Sequence, residues 1–385
     1  MAKMRLNADV VKRVRSHWKG DTSFLGFPDA EADATANPDA WLTHLLVKPN
    51  WFKPAMQKQS AIIVGRKGVG KSASRIAAER ESGADKSSKD LIVYASADEL
   101  AARYALRIKG TTEKGVGAVT EWCRVFAEIY LERIASMVGT QVPQDWEQSL
   151  QAISERDFGK RLGAAVRDLC ANVKRVRLTS AKEMLARVTG ATSFVLYVDD
   201  FDKIQEEPSL VSLRIIRDAI EAADRITHQN KNTSIHLLMR QDLWLRVKPG
   251  WHYADKVAGL VQLNWSQDDL RKWADRRLRQ AVAIATGVNP RNLEAGFGDY
   301  WNIFFPDRIH LRNNEDSEGI HYLVRRTMYT PRSLRKFMEL ILKKATALLA
   351  GQRNVEDAEE EFSAEQLGFL ETEFSSLCTG LGICL

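Results

Sequence analysis

Between positions 65 and 72 the chain reads Gly65-Arg66-Lys67-Gly68-Val69-Gly70-Lys71-Ser72, the spacing GxxxxGK[ST]. The chemistry of such a run is capture of a phosphate chain. Glycines without Cβ let backbone N–H groups turn inward around an anion, and a following helix offers its unpaired N-terminal amides to the same charge. On this reading Gly65, Gly68, Val69, Gly70 and Ala73 contribute main chain, Lys71 reaches the β- and γ-phosphates, and the Ser72 hydroxyl ligates Mg²⁺. The motif means something only between a strand and a helix. Ala61-Ile62-Ile63-Val64 precedes it, β-branched and too short for a helix, and the helix-forming residues 73–80 follow. Arg66 and Lys67 raise the local positive potential, but loops of this kind accept most residue types there, so neither is given a catalytic role.

A phosphate loop also needs a carboxylate at the tip of another parallel strand, to hold the magnesium through its water shell. Phe194-Val195-Leu196-Tyr197-Val198-Asp199-Asp200 supplies one. Asp199 is assigned to the metal and Asp200 to polarising the attacking water, where many hydrolytic relatives of this motif carry Glu. A carboxylate one methylene shorter predicts slow turnover. Asp202 follows on the turn. The strand over 233–238 runs on into Met239-Arg240-Gln241-Asp242, making Arg240 the candidate sensor of the γ-phosphate, with His236 too far inside the strand. Arg332, beside Pro331 at a helix start, reaches the nucleotide from the C-terminal part. Each assignment has a plainer alternative: Asp often starts turns, Arg often ends exposed strands, and an arginine in a capping turn needs no ligand.

These residues must be positioned by a sheet. Strands are expected over 61–64, 91–95, 192–198, 233–238 and 259–263, with a helix over 209–226. A helical insert is expected at about 100–190, in which Val119, Trp122, Cys123, Phe126, Ile129, Tyr130, Ile134 and Met137 share one face, with further helices over 144–153, 158–173 and 181–188. Strands alternating with helices imply an α/β fold with a mainly parallel sheet covered on both faces. After Ser266 only helical periodicity remains: Ser266 caps 267–284, and Thr330 with Pro331 starts 332–349, which Gly351 closes. Residues 1–58 read as a leader, with a helical stripe at Trp41, Leu42, Leu45 and Leu46, 59–265 as the core with its insert, and 266–385 as a helical lid and tail.

The 385 residues are 44% hydrophobic and 28% charged with 10 Pro, which excludes a disordered, collagenous or disulfide-scaffold protein. No apolar run approaches the ~20 residues of a spanning helix, and the N-terminus lacks the apolar stretch of a signal peptide, so a cytoplasmic protein with no membrane partner is expected. Cys123, Cys170, Cys378 and Cys384 show no metal or disulfide spacing and read as buried thiols. The net charge of +6 is unevenly placed: six Lys/Arg stand in the first twenty residues, and eight acids lie over 356–373. Guanine specificity normally needs NKxD on a late strand. Asn230-Lys231-Asn232 lacks the aspartate and precedes a strand, so ATP is the expected nucleotide. No LSGGQ, HEXXH or GxSxG signature is present.

The segments GRKGVGKSA, VLYVDDFDKI, HLLMRQDLW, LNWSQDDLRKWADRRL and YTPRSLRKFMELI together resemble a group of bacterial P-loop ATPases related to the STAND and AAA+ divisions of additional-strand ATPases, from about residue 24 to residue 374. The resemblance implies a core sheet in the order 5-1-4-3-2, an all-helical lid and nucleotide-dependent switching. By the same similarity Lys71 and Ser72 bind phosphate and Mg²⁺, Asp199 and Asp200 serve metal and water, and Arg240 is the sensor. The leader segment FLGFPDAEA resembles the stretch that contacts adenine in these families. Such ATPases often act with separately encoded effectors, including in defence against phage.

Two functions follow as expectations. In the first, ATP closes the lid, the changed surface recruits or releases a protein partner or a second copy of the chain, and slow hydrolysis resets it. The alternative is a nucleic-acid-dependent motor or loader, gripping phosphates with the basic N-terminal arm, Lys174-Arg175-Val176-Arg177 and Arg271-Lys272-Arg276-Arg277. An exposed basic helix face is the ordinary explanation of such clusters, and no helix-turn-helix or winged-helix signature is present.

Overall fold

The computed structural model describes residues 6–18, 21–36, 38–85, 88–111, 117–142, 153–171, 173, 179–201, 210–257, 259–293, 296–305, 308–310 and 316–349. Asp202, the 174–177 basic cluster, Gly351, the acidic run 356–373, Cys378, Cys384 and all but the last residue of the helix expected over 144–153 lie outside them.

In chain order, α1 (Ala8–His17) and α2 (Ala30–Ala36) lead to a π-helical turn at Trp41–Leu45. There follow β1 (Ile62–Gly65), α3 (Lys71–Ala84), β2 (Asp90–Ser96), α4 (Ala97–Thr111), α5 (Ala118–Val138), α6 (Phe158–Ala171) and α7 (Thr179–Gly190). Next come β3 (Ser193–Asp199), α8 (Leu210–Gln229), β4 (Thr233–Arg240), α9 (Gln241–Val247) and β5 (Leu260–Gln262). The C-terminal part contains α10 (Gln267–Thr286), α11 (Phe297–Phe304), β6 (Arg308–His310), β7 (Asp316–Glu318), α12 (Gly319–Arg326) and α13 (Pro331–Leu349).

The chain divides into two compact units. One, Asn50–Lys67 with Lys71–Leu263, holds a five-stranded sheet ordered β2-β3-β4-β1-β5, which counted from the other edge is β5-β1-β4-β3-β2. Every pairing is parallel. The sequence explains the order of burial: β1 and β3 are buried at every position and β4 at all but its last, as unbroken apolar strands covered on both faces must be. The edge strand β2 alternates between buried and partly exposed positions, and β5 is exposed at its two ends. Because the strands run in one direction, Gly65, Ser96, Asp199 and Arg240 all leave the same edge of the sheet.

Within this unit α5 packs against α4, α6, α7, α8 and β2. That environment corrects the single apolar face expected from periodicity: Val125, Ala127, Leu131 and Ala135 are buried as well, while Met137, in the last turn, is exposed. The phenol of Tyr130 donates to the Leu91 carbonyl and accepts from Val195 N–H at 3.2 Å, tying α5 to β2 and β3. Cys123 is buried, which pushes its thiol up and keeps it unreactive, and Cys170 is half-buried.

The other unit comprises Met1–Pro49, Gly68–Gly70 and Asn264–Leu385. Its core joins Val14, Phe24, Leu25 and Val47 from the leader to Leu270, Trp273, Trp301 and Phe337. Ser266 caps α10 through a full capping box, and Thr330 accepts from Ser333 N–H at the start of α13. Asp33 is fixed by Arg277: one guanidinium nitrogen lies 3.0 Å from Oδ1 and the second meets Oδ2, which also accepts from Trp41 Nε1 at 3.1 Å. The expectation of helices alone after Ser266 is corrected by the antiparallel pair β6-β7, with Arg308 opposite Glu318. Strands of three residues are too short to leave a period-two signal.

Candidate functional site

Strand β1 ends at Gly65 and α3 begins at Lys71, so the glycine-rich run forms the turn between a buried strand and a 14-residue helix. Gly68 and Gly70 hold φ of 77° and 104°, in the left-handed region where a Cβ is strained. Gly68 has a second reason to lack a side chain. Within the unit that contains both, a Cβ there would stand 2.6 Å from Cβ of Arg332, the second residue of α13. In the same unit Trp265 Nε1 donates to the Val69 carbonyl at 2.7 Å, fixing the crest of the turn. Trp265 was not singled out from the sequence; an indole beside a strong helix cap is its only trace there.

Arg66 and Lys67 are exposed, whereas Lys71, Ser72 and Ala73 are half-buried. Lys71 Nζ donates to the Gly65 and Arg66 carbonyls, at 3.2 and 3.4 Å, so the ammonium lies over the start of its own loop. Ser72 Oγ donates to Asp199 Oδ2 at 2.6 Å. Asp199 is the last residue of β3, 6% exposed, and its other oxygen accepts from Asp200 N–H at 2.8 Å. Asp200 stands just past the strand with φ of 60°, a conformation that Asp tolerates better than most residues.

Arg240 is the last residue of β4, in register with Gly65 of β1. Its guanidinium makes a fork with the Asp242 carboxylate, at 3.0 and 2.9 Å, so the candidate sensor has an acidic partner two residues away. His236 lies fully buried inside β4 with Nδ1 toward the Ser60 carbonyl, in keeping with its exclusion from the site. In the leader, Phe24 and Leu25 are buried in the core of their own unit, leaving Phe27 as the exposed aromatic of the FLGFPDAEA segment.

The Arg271-Lys272-Arg276-Arg277 cluster is corrected. Arg277 is buried against Asp33, Arg276 donates to the Leu46 carbonyl, Arg271 pairs with Glu318 at 3.4 Å, and Lys272 is 4.0 Å from Asp269. Their helical spacing spreads them around α10 and each has an internal partner, so they form no phosphate-gripping stripe. Arg15 of the basic arm likewise donates to the Ile303 and Asn302 carbonyls.

Among the described residues no group of three or more His, Cys, Asp or Glu is arranged to hold a metal ion. A hydroxyl and one carboxylate are nonetheless the hard-oxygen set that Mg²⁺ takes when a nucleotide's phosphates and water complete its shell. Adjacent ligands of an octahedral Mg²⁺ lie roughly 3 Å apart, so Ser72 and Asp199 need only small shifts to become such a pair. Among the described residues, no helix is long and apolar enough to cross a membrane. No family model, curated protein or solved structure matches this chain.

Proposed function

We propose that this chain is an ATP-binding, slowly hydrolysing P-loop ATPase, in which nucleotide state governs binding or release of a protein partner or a second copy. The observation that carries the reading is the 2.6 Å contact of Ser72 Oγ with Asp199, which joins the end of a GxxxxGKS loop to an aspartate at the tip of another parallel strand. The sheet order counted from the β5 edge, 5-1-4-3-2, supports the additional-strand division.

In this reading the main chain of Gly65, Gly68, Val69, Gly70 and Ala73 cradles the phosphates, and Lys71 leaves its loop carbonyls to neutralise the β- and γ-oxygens. Ser72 and Asp199 hold Mg²⁺, which, when bound, supplies charge neutralisation at the triphosphate. Asp200 accepts a proton from the attacking water, Arg240 faces the γ-phosphate, and Arg332 offers a second cation. A role in antiviral defence with a separate effector rests on the sequence resemblance alone.

The reading is tested by titrating ATP into the full chain with Mg²⁺, and by weighing the particle with and without the nucleotide. Binding that is lost in Lys71→Ala, hydrolysis indifferent to added DNA and a nucleotide-dependent change of mass are expected. Failure to bind ATP overturns the reading. Hydrolysis stimulated by DNA, with steep loss of binding on adding salt, replaces the switch by the nucleic-acid-dependent alternative.

A further inference from the structure

At the opposite ends of the strands that carry Asp199 and Arg240, a cleft of about 480 Å³ opens between α6 and the starts of β3 and β4. Its size is that of a small-molecule pocket. It lies roughly 20 Å from the phosphate loop, by the rise of the strands between them.

The lining contains Lys160, Arg167 and Lys231 and no acidic residue. Among the described residues none of these three cations has an ion-pair partner. That contrasts with α10, where every basic side chain of the cluster is engaged internally. The Asn230-Lys231-Asn232 turn, which fails as a guanine-reading tetrad, supplies part of this rim.

The floor is closely packed. Thr233 is 2% exposed and its Oγ1 has no hydrogen-bond partner. A Cβ on Gly159 would stand 2.5 Å from that oxygen, so glycine at 159 is what lets α6 lie directly over the hydroxyl. A Cβ on Gly163 would sit 3.4 Å from the Phe194 ring, so glycine there lets α6 pack closely on a ring that is 6% exposed. The frame is held rigidly: Asn230 Oδ1 accepts from Gly159 N–H at 3.0 Å, while its Nδ2 donates to the Glu155 and Ile226 carbonyls at 2.7 and 2.8 Å.

We infer that this cleft is a second ligand site, for a nucleoside monophosphate: Lys160, Arg167 and Lys231 take the phosphate, and the exposed Gln229 and Asn232 amides read the polar edge of the nucleoside. Three cations and no acid on the lining suit a multiply charged anion such as a phosphate dianion, and the cleft volume leaves room for a body of nucleoside size. The site is independent of the ATPase reading, since none of its residues belongs to the phosphate loop.

The test is calorimetric titration of AMP, GMP, CMP and UMP, and separately inorganic phosphate, into the full chain carrying Lys71→Ala, so that the phosphate loop contributes nothing. At least one mononucleotide binds, and more tightly than inorganic phosphate. The Arg167→Glu, Lys231→Glu double variant, whose changes are on exposed side chains, weakens it about tenfold or more. Heat from none of the four nucleotides, heat from phosphate alone, or affinity unmoved by the charge reversal overturns the site. Tight binding of a single-stranded oligonucleotide without its monomers would make the cleft a nucleic-acid contact and equally overturn it.

Discussion

Ser72 and Asp199 are 127 residues apart in the chain and 2.6 Å apart in space, hydroxyl to carboxylate. A hydroxyl that donates to a carboxylate at this range is already beside the oxygen with which it would share a cation. Mg²⁺ should therefore tighten ATP binding in the native chain, and Ser72→Ala or Asp199→Asn should remove that increment, by about tenfold or more. Affinity in the presence of a chelator should stay within about threefold of native, since the loop amides and Lys71 are untouched. Titration of a fluorescent ATP analogue with and without Mg²⁺ reads both quantities, and an unchanged Mg²⁺ increment in Asp199→Asn would remove Asp199 from the metal.

Asp200 combines a left-handed backbone with an N–H bonded to its neighbour's carboxylate. Asn tolerates that backbone about as well as Asp, so Asp200→Asn removes the negative charge at no backbone cost, whereas Asp200→Ala adds about 1 kcal/mol of strain. If Asp200 accepts the proton of the attacking water, the Asn variant binds ATP within about threefold of native and turns over about a hundredfold more slowly. Its melting temperature is unchanged. Native turnover in that variant would be the end of the assignment.

Arg240 is opposite Gly65 in the register of β4 with β1, but its fork is occupied by Asp242. Both side chains are well exposed, at 39% and 54%, and an ion pair of that kind holds little stability, so the fork opens readily. Asp242→Ala then removes this competing acid and should raise turnover, whereas Arg240→Ala should lower it about tenfold or more with ATP affinity held within about threefold. Steady-state hydrolysis of the two variants side by side decides it: no difference in rate between them would leave Arg240 a strand-end arginine.

The parts of the site that lie in one short segment were legible from residue types alone. The loop motif, its strand and its helix are local, and the two aspartates end a strand whose unbroken apolar run identifies it as buried on both faces. What the sequence hid depends on distance or on brevity. Asp242 as the partner of Arg240 is a choice between one acid and a ligand, which spacing cannot decide. Met137 falls on the predicted face of α5 but in a turn that packing does not reach, and β6 and β7 are too short to show alternation. The arginines of α10 look like a basic surface until their acceptors arrive: Asp33, 244 residues away for Arg277, and the Leu46 carbonyl, 230 residues away for Arg276.

The Asp33–Arg277 pair anchors the leader to α10 with both side chains nearly excluded from solvent, at 5% and 7%. The carboxylate also accepts from Phe27 N–H and Trp41 Nε1, so its removal strands a buried guanidinium and two donors. Asp33→Ala should cost about 3–5 kcal/mol, seen as a large fall in the denaturant midpoint. Asp33→Leu combined with Arg277→Met should recover most of that loss, because neither buried charge remains. A double variant no more stable than Asp33→Ala would show that the two side chains do not act as a pair.

His236 supplies a pH dependence of stability. It is wholly buried in β4, stacked at 4.5 Å on Tyr197 of β3, and desolvation lowers its pKa from 6.5 to about 4, against a smaller opposing effect of the Ser60 carbonyl. Between those two values the unfolded chain binds a proton that the folded chain refuses. Neutral His236 therefore withholds nothing from stability above pH 6.5, and stability is lost as the pH falls from 6.5 toward 4, by about 3 kcal/mol in all. Below 4 both states are protonated and this loss levels off. His236→Gln lacks the titration but keeps a donor for the Ser60 carbonyl, so it is less stable than native at pH 8 and flatter in its response to acid. Urea midpoints of the two proteins at intervals from pH 8 to pH 4 should converge. Parallel curves would mean that His236 takes up its proton in the fold as readily as in the unfolded chain, and that the strand interior around it is wetter than its burial implies.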